Sequence, residues 1–390
     1  MQSAFSVYDS PRASVPRLFN LGNTEDDKEF RALCESGEIR QTVDEYQVQL
    51  RELFAIDNPS LALSPDFEAK FETFLSSIDS SAPFNQQGIW AYFPWLFMAV
   101  HILPDSEYQR VRTARNRNLI TEEEQRKFYS TVIGIAGLSV GNSVALAITL
   151  QGGARTIKLA DHDRLELSNL NRIRAGVDSL GIRKVELAAR QIYLLNPYAK
   201  VLLFPEGLTE DTIGNFFSDV DIVIDEIDSL PMKFRLREEA KKRKVPLLMA
   251  ADNDRSGVID IERYDLDPQL EFFHGRLNGD TQKSLVSLDK QEVGRKIAKL
   301  IGIENHTERM FYSLTEMGKS IPSWPQLGGT ALLNGSAIAY CALKIANNEP
   351  LVRDRVIIDL DPLFDPEYYS EKNVTRRTDL IGTIKKILGL

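Results

Sequence analysis

The sequence predicts an α/β protein with a doubly wound, mostly parallel Rossmann-like sheet and an N-terminal, mainly helical accessory domain. Three observations predict this fold class. An apolar run ends in a glycine turn. A helix follows the turn, and after it comes a second apolar run, which ends in Asp161. Strand-length apolar runs then alternate with helical segments to about residue 250. Residues 1–110 lack this alternation, which places them in a domain of their own.

The N-terminal 110 residues are interpreted as a small accessory domain. Residues 41–54 and 67–75 space their apolar side chains as amphipathic helices do. Prolines between and after these segments mark breaks in the chain. The aromatic run at residues 90–97 suits either the core of this domain or a surface that docks a partner.

Residues 111–390 are predicted to form the main domain. Thr121 and Glu124 make a capping box that begins a helix directly before the first strand. Alternation of strands with helices predicts a parallel sheet covered on both faces. The predicted strands cover residues 131–136, 156–160, 201–204, 219–225 and 246–250, and the main helices cover residues 140–151, 184–195 and 232–244.

The pattern changes after residue 250. Residues 251–330 carry scattered Gly and Pro without a regular period, so we expect an irregular crossover that passes over the sheet. Beyond it the sequence predicts an apolar helix at residues 331–346, a short strand at 355–360 and an amphipathic segment at 380–388.

Composition limits the classes of function. The 390 residues carry a net charge of −9, which disfavours nucleic acid as a partner. Cys34 and Cys341 stand far apart, so neither a disulfide framework nor a four-cysteine zinc site is expected. The N-terminus lacks the apolar core of a signal peptide. The longest apolar run, residues 89–103, is broken by Pro94 and is too short to span a membrane. We therefore expect a cytoplasmic protein without a membrane partner.

The glycine turn is the first candidate binding element. Gly137 permits a tight turn, and Gly141 lets the next helix approach. The free N–H groups at the start of that helix, beside Ser139, would then face an anion such as a nucleotide phosphate. The same letters, GLSVG, also fit the G-x-S-x-G nucleophile elbow of α/β-hydrolases. That alternative requires a later acid and histidine, and the candidates His274 and His306 both lie in the irregular segment.

Charged residues after the second strand favour phosphate chemistry. Asp161 at the end of that strand, with Asp163 beside it, is placed to accept hydrogen bonds from ribose hydroxyls. Arg172 and Lys184 supply cations that stabilise charge on the phosphates of ATP when its α–β bond is broken. Asp228 follows the fourth strand, where a Mg²⁺ ligand is needed. An NAD-dependent oxidoreductase, a further alternative, gives no reason for both cations.

The order of these motifs resembles the ThiF/MoeB/HesA family, relatives of the ubiquitin-activating enzymes. The glycine loop, the D-x-D-x-x-x-x-SNLNR segment, G-x-x-K and strand–D-x-x-D match over about residues 112–265. The resemblance implies an adenylyltransferase that activates a carboxylate with ATP and Mg²⁺ and releases pyrophosphate. The implied roles are ribose binding by Asp161, phosphate binding by Asn169, Arg172 and Lys184, and Mg²⁺ binding by Asp228.

The resemblance also implies a homodimer. In this family an arginine ahead of the first strand reaches into the ATP site of the neighbouring subunit, and Arg117 is the candidate here.

The carboxylate that is activated would belong to a protein or peptide C-terminus, such as that of a ubiquitin-like protein or a precursor peptide, or to a small acid.

The chain departs from the family pattern in its cysteines. Members often bind zinc through two CxxC pairs and pass the acyl group to a cysteine in the crossover. Here residues 251–330 contain no cysteine, and Cys341 lies in a predicted core helix. Ile173 stands where many members have a glutamine. We therefore expect adenylation without an internal cysteine relay. The alternative is a module of the same fold that binds a nucleotide or a partner without turnover.

Overall fold

The structure, a computed structural model, describes residues 14–78, 83–286, 288, 290–352 and 354–388. Most of the N-terminal segment on which the signal-peptide expectation rests lies outside these residues. The chain forms two compact units. The first comprises the residues up to Arg126 together with Ala189–Ala199, and the second comprises Lys127–Ala188 and Lys200–Leu390. The division at residue 110 stays a prediction.

The first unit holds a four-stranded sheet. Its strands are β1 (Arg17–Phe19), β2 (Gln41–Asp44), β3 (Ile89–Phe93) and β4 (Met98–Ile102). The order is β1–β3–β4–β2, with only β2 and β4 paired in parallel among these described strands. The helices that accompany the sheet are α1 (Thr24–Glu35), α2 (Tyr46–Asp57), α3 (Phe67–Ser77) and α4 (Asp105–Arg112).

The sequence analysis does not predict this sheet. The helix expected at residues 67–75 is confirmed as α3, but the one expected from residue 41 begins only at Tyr46, after β2. Four consecutive residues of β3 are buried, so the strand lacks the alternation that marks a half-exposed strand. Its Trp90 ring stacks on buried His101 at 4.7 Å, which places residues 90–93 of the aromatic run in the core of this unit, whereas Leu96 is exposed.

The second unit is built on a seven-stranded sheet. Its strands are β5 (Val132–Ala136), β6 (Thr156–Ala160), β7 (Lys200–Phe204), β8 (Ile222–Asp225), β9 (Leu247–Asn253), β10 (Ser256–Glu262) and β11 (Arg355–Asp359). The order is β11–β10–β9–β8–β5–β6–β7. Strands β5 to β9 pair in parallel, whereas β10 and β11 add antiparallel pairs. The predicted doubly wound, mostly parallel sheet is confirmed.

Helices follow the strands as the alternation predicts. The long helix α13 (Gly328–Ala346) packs on α6 (Val140–Leu150) and on β9 and β10 of the sheet. None of the helices in the described part of the chain combines the length and the apolarity needed to cross a membrane. The remaining helices are α5 (Glu122–Ser130), α6 (Val140–Leu150), α7 (Lys184–Leu195), α8 (Ile213–Phe216), α9 (Leu230–Arg243), α10 (Gln282–Val286), α11 (Lys290–Ile301), α12 (Glu308–Glu316), α13 (Gly328–Ala346), α14 (Asp361–Phe364) and α15 (Glu371–Leu388).

The expectation that residues 251–330 are irregular is wrong. This stretch contains β10 and the three helices α10, α11 and α12. Strand β10 is hidden in the sequence because it carries two acids, Asp260 and Glu262, at fully buried positions. Each pairs with an arginine from a distant element: Asp260 with Arg355 and Glu262 with Arg237. The last helix, α15, is also longer than the amphipathic segment expected at residues 380–388.

Candidate active site

The glycine turn follows β5 at the point where the sheet changes direction. β5 pairs with β6 on one side and β8 on the other, and ligands bind at such switch points. Gly137 has a φ of 88°, and a Cβ there would lie 2.2 Å from the carbonyl oxygen of Glu226. The position therefore requires glycine both for its backbone conformation and for the close approach of the chain after β8. At Gly141 a Cβ would meet Ile135 at 3.0 Å, which shows how closely α6 approaches β5.

Asp161 holds the glycine turn in place. Its buried carboxylate accepts hydrogen bonds from the N–H groups of Leu138, at 2.7 Å, and Asp163, at 2.8 Å. Burial raises the pKa of Asp161, although the charge of Lys184 and these two N–H groups oppose the rise. Asp161 thus shapes the glycine turn. It also stands at the position expected for a residue that binds ribose, and that second role stays a prediction.

Lys184 and Asp163 form an ion pair beside Asp161. The Lys184 ammonium donates to Asp163 at 2.7 Å, and the lysine side chain is almost completely buried. Partial burial acts to raise the pKa of Asp163, but the bond from Lys184 and its charge outweigh this and lower it. The predicted contacts of both residues with a nucleotide stay predictions, since in this structure they bind each other.

Asn169 shapes the turn that presents Arg172. The side-chain oxygen of Asn169 accepts the N–H of Glu166 at 3.0 Å, and the two residues form a capping box. The carbonyl oxygen of Asn169 in turn accepts the N–H groups of Arg172 and Ile173. Because Asn169 is buried, it acts here on the backbone of the motif, and its predicted contact with phosphate is untested.

Arg172 joins this turn to the glycine turn. Its Nε donates to the hydroxyl oxygen of Ser139 at 2.7 Å, and its Nη1 donates to Asn171 and to the carbonyl oxygen of Ser168. Its Nη2 has no hydrogen-bond partner among the residues that the structure describes. Burial lowers the pKa of Arg172, while the charges of Asp252 and Asp228 act to raise it. One cation and two carboxylates therefore meet at the glycine turn.

Asp252 is a site residue that the sequence analysis does not identify. It lies near the end of β9, and its carboxylate accepts a hydrogen bond from Asn334 at 2.7 Å and a long one from Gln326 at 3.4 Å. Burial raises the pKa of Asp252 to about 6, although these donors and Arg172 oppose the rise. No motif spacing in the sequence identifies Asp252, because its contact with Asn334 joins residues 82 positions apart in the chain.

Glu226 is a second acid missing from the sequence analysis. It is buried directly after β8, and its carboxylate accepts the N–H of Ala250 at 2.9 Å. Burial raises the pKa of Glu226 well above its ordinary value, against the opposing charge of Lys233. The neighbouring Asp225 differs, because ion pairs with Lys233 and Arg237 lower its pKa in spite of complete burial.

A cavity of about 270 Å³ opens beside these residues within the second unit. Ser139, Asp228 and Asp252 lie on its wall, so the cavity begins at the glycine turn. Ser139 stands at the N-cap of α6 but makes no side-chain capping bond, which leaves N–H groups of the first helical turn for an anion. Arg117, the residue expected to act in the neighbouring subunit, belongs to the first unit, and its role stays a prediction.

Comparison with known proteins assigns the family. The sequence profile of the ThiF family matches residues 113–349. An uncharacterized protein of Mycobacterium tuberculosis is 38% identical over 276 residues, which are 71% of this chain and 38% of that protein. The tRNA threonylcarbamoyladenosine dehydratase of Bacillus subtilis is 29% identical over 183 residues, which are 45% of this chain and 72% of that enzyme. The chain thus spans well under half the length of the first of these relatives.

A solved structure of the microcin C7 biosynthetic enzyme MccB in complex with N-formylated MccA also matches. Its sequence is 17% identical, and the match covers 64% of this chain and 69% of that chain with a TM-score of 0.48.

Proposed function

We propose that this chain, which belongs to the ThiF family, uses ATP to adenylate a carboxylate and releases pyrophosphate. The resemblance of its motifs to this family implies ATP-dependent activation of a carboxylate. The observation that carries the proposal for this chain is the meeting of Arg172 with Ser139, Asp228 and Asp252 at the start of α6. A cation, an uncapped helix N-terminus and exposed carboxylate oxygens are the groups that Mg²⁺-bound phosphates require.

The donor set fits MgATP. The N–H groups at the start of α6 and the Nη2 of Arg172 suit phosphate oxygens, and the exposed carboxylate of Asp228 suits Mg²⁺. Bound MgATP would supply the electrophilic α-phosphorus and the pyrophosphate leaving group. The substrate carboxylate oxygen attacks that phosphorus as the bond to the leaving pyrophosphate breaks, and no proton needs to be transferred.

The residues of the chain orient and stabilise this reaction. Arg172 is held by Ser139 on one side, so its remaining N–H groups need no reorganisation to stabilise developing negative charge. Asp252 is held by Asn334 and lies within the electrostatic reach of Arg172. Asp161 fixes the glycine turn by accepting the N–H of Leu138. Because α6 begins directly after this turn, the same hydrogen bond also fixes the first turn of α6.

The finer parts of the proposal concern the substrate, the metal, the oligomeric state and the fate of the acyl group. We propose a protein or peptide C-terminus or a small acid as substrate, Mg²⁺ as the metal, a homodimer in the cytoplasm, and no internal cysteine relay. Burial raises the pKa of Cys341 in α13 to about 11, which disfavours the thiolate needed for a thioester. The other cysteine, Cys34, is exposed and belongs to the first unit.

Exchange of labelled pyrophosphate into ATP tests the proposal. A set of small acids and peptides is added in turn, and at least one carboxylate should support exchange that depends on Mg²⁺. Tight binding of ATP without exchange for any of them would instead identify the chain as a nucleotide-binding module.

A further inference from the structure

The cavity beside Arg172 has one polar and one apolar end. Ser139, Asp228 and Asp252 mark the polar end, since all three interact with Arg172. The rest of its wall comes mainly from β9, β10, β11, α9, α11, the segment after β8 and the segment before α13. The apolar side chains of this wall include Leu230, Met249, Val258, Ile297, Leu300 and Trp324.

The charged groups along the apolar wall are neutralised within the protein. Lys233 pairs with Asp225 at 3.2 Å, and Arg355 makes two short hydrogen bonds to Asp260, at 2.7 and 2.6 Å. The carboxylate of Glu226 already accepts a hydrogen bond from the N–H of Ala250 at 2.9 Å. A polar ligand therefore finds few groups in this part of the cavity that still seek a partner.

The size of the cavity points to a substantial apolar group. Its volume is about 270 Å³. Buried apolar cavities of roughly 150 Å³ accommodate benzene, whereas a terminal glycine offers only a hydrogen atom. A ligand with a carboxylate at the polar end would need several carbons to fill the remaining space and displace water from it.

We propose that the cavity selects the acyl group, and that the activated carboxylate carries an apolar group of several carbons rather than a terminal glycine. The carboxylate is that of a free acid or that of the C-terminal residue of a peptide, since both present the same chemistry. The inference rests on the proposed adenylation and specifies the substrate class of that reaction.

Pyrophosphate exchange with a graded series tests the inference with the full chain. The free acids run from acetate to octanoate and include 3-phenylpropionate, with succinate as the polar control. A peptide arm compares C-terminal leucine and phenylalanine with Gly-Gly. If the free acids are active, kcat/KM for exchange should rise by about 4-fold for each added methylene until the cavity is full. If the peptides are active, kcat/KM should be higher for C-terminal leucine and phenylalanine than for Gly-Gly.

A matched pair of variants on α11 locates the selectivity. Ile297→Ala enlarges the cavity and should move the preferred chain length up by roughly two carbons. Lys299→Ala, an exposed position on the same helix, should leave the preference unchanged. Should Ile297→Ala fail to fold, Ala251→Leu reports in the opposite sense, because it fills the cavity from β9 and should favour shorter acids.

Fluorescence of Trp324 gives a readout of binding that does not need turnover. Only three tryptophans occur in the chain, and Trp324→Phe identifies the share of the signal that comes from the cavity wall. Titration in the presence of a non-hydrolysable ATP analogue should show saturable binding that tightens with apolar length.

The outcomes separate the two proposals. Length-dependent exchange and binding, altered by Ile297→Ala or Ala251→Leu but not by Lys299→Ala, support both. Exchange that is as strong with acetate or Gly-Gly peptides as with apolar acids overturns the inference and leaves adenylation intact. Saturable apolar binding without any exchange overturns adenylation, and with it the role of the ligand as an activated substrate, and leaves only the preference of the cavity for an apolar group. The absence of both exchange and binding overturns both proposals.

Discussion

At the level of single residues, the site depends on which hydrogen bonds Arg172 makes inside the protein. Ser139 and the turn around Asn171 take its Nε and Nη1, so the guanidinium is oriented before any ligand arrives. Asp228 differs from Asp252 in being exposed and free to meet a cation from solution, whereas Asp252 is buried and hydrogen-bonded. The two carboxylates near Arg172 should therefore respond differently to substitution.

Replacing Asp228 by asparagine should abolish most turnover and leave ATP bound. Loss of a metal-held negative charge removes several kcal/mol of transition-state stabilisation, so kcat for exchange should fall at least about 100-fold. Asp211→Asn is the matched control, because Asp211 is exposed and does not line the cavity. Steady-state exchange and ATP titration check this, and an Asp228→Asn enzyme with ordinary kcat would exclude Asp228 as the metal ligand.

Asp252 should make stability depend on pH in the nucleotide-free and Mg²⁺-free protein. Its pKa rises from 3.8 to about 6 on folding, so the folded state binds its proton more tightly than the unfolded state. The contribution is fully present below about pH 4 and is lost as pH rises through about 6, which costs up to about 3 kcal/mol. Asp252→Asn removes this term, so the variant should gain stability relative to wild type between pH 4 and pH 7. Urea unfolding at both pH values measures it, and a pH-independent difference would contradict the assignment.

At the level of elements, the contact between α6 and α13 fixes the helix that begins at the glycine turn. Gly335 in α13 lies so close to α6 that a Cβ would meet the backbone of Ser143 at 2.8 Å. Asn334, next to it, reaches Asp252. The same helix therefore packs against α6 and positions a residue of the site.

Gly335→Ala should destabilise the protein by about 1 to 3 kcal/mol, because the added methyl forces the two helices apart. Gly329→Ala on the same helix is the matched control. A Cβ at Gly329 meets nothing within 4 Å, and alanine should stabilise the helix by up to about 1 kcal/mol. Denaturant unfolding compares the two, and equal effects at both positions would show that the α6–α13 contact is not tight.

The elements predicted correctly and those missed differ in where their partners lie. Strand β5 is a continuous run of apolar residues and glycine, and β6 and β8 each carry one charged residue, Lys158 and Asp225, in an otherwise mostly apolar run. That local pattern is sufficient to identify buried parallel strands. Strand β10 has two acids among its buried residues, Asp260 and Glu262. Their charges are tolerated only because Arg355 and Arg237 pair with them, and no local pattern in the sequence shows such distant partners.

The residues of the candidate site also divide into those that a local sequence pattern identifies and those that only long-range contacts reveal. Gly137, Asp161 and Arg172 stand at motif spacings that identify a nucleotide site before the fold is known. Asp252 became recognisable only when folding brought it to Asn334, which is 82 residues away in the chain. Residues that act through long-range contacts carry no spacing that could identify them in advance.

At the level of the whole molecule, the remaining prediction concerns two copies of the chain. If Arg117 acts in the ATP site of a neighbouring subunit, Arg117→Ala and Asp228→Ala should each inactivate the homodimer. When the two variants are unfolded together and refolded, half of the dimers become mixed, and each mixed dimer has one site with both residues intact. Exchange activity should then recover to about a quarter of the wild-type value. Mixing without recovery, in a sample shown by mass measurement to contain mixed dimers, would place Arg117 in its own subunit's site or outside the reaction.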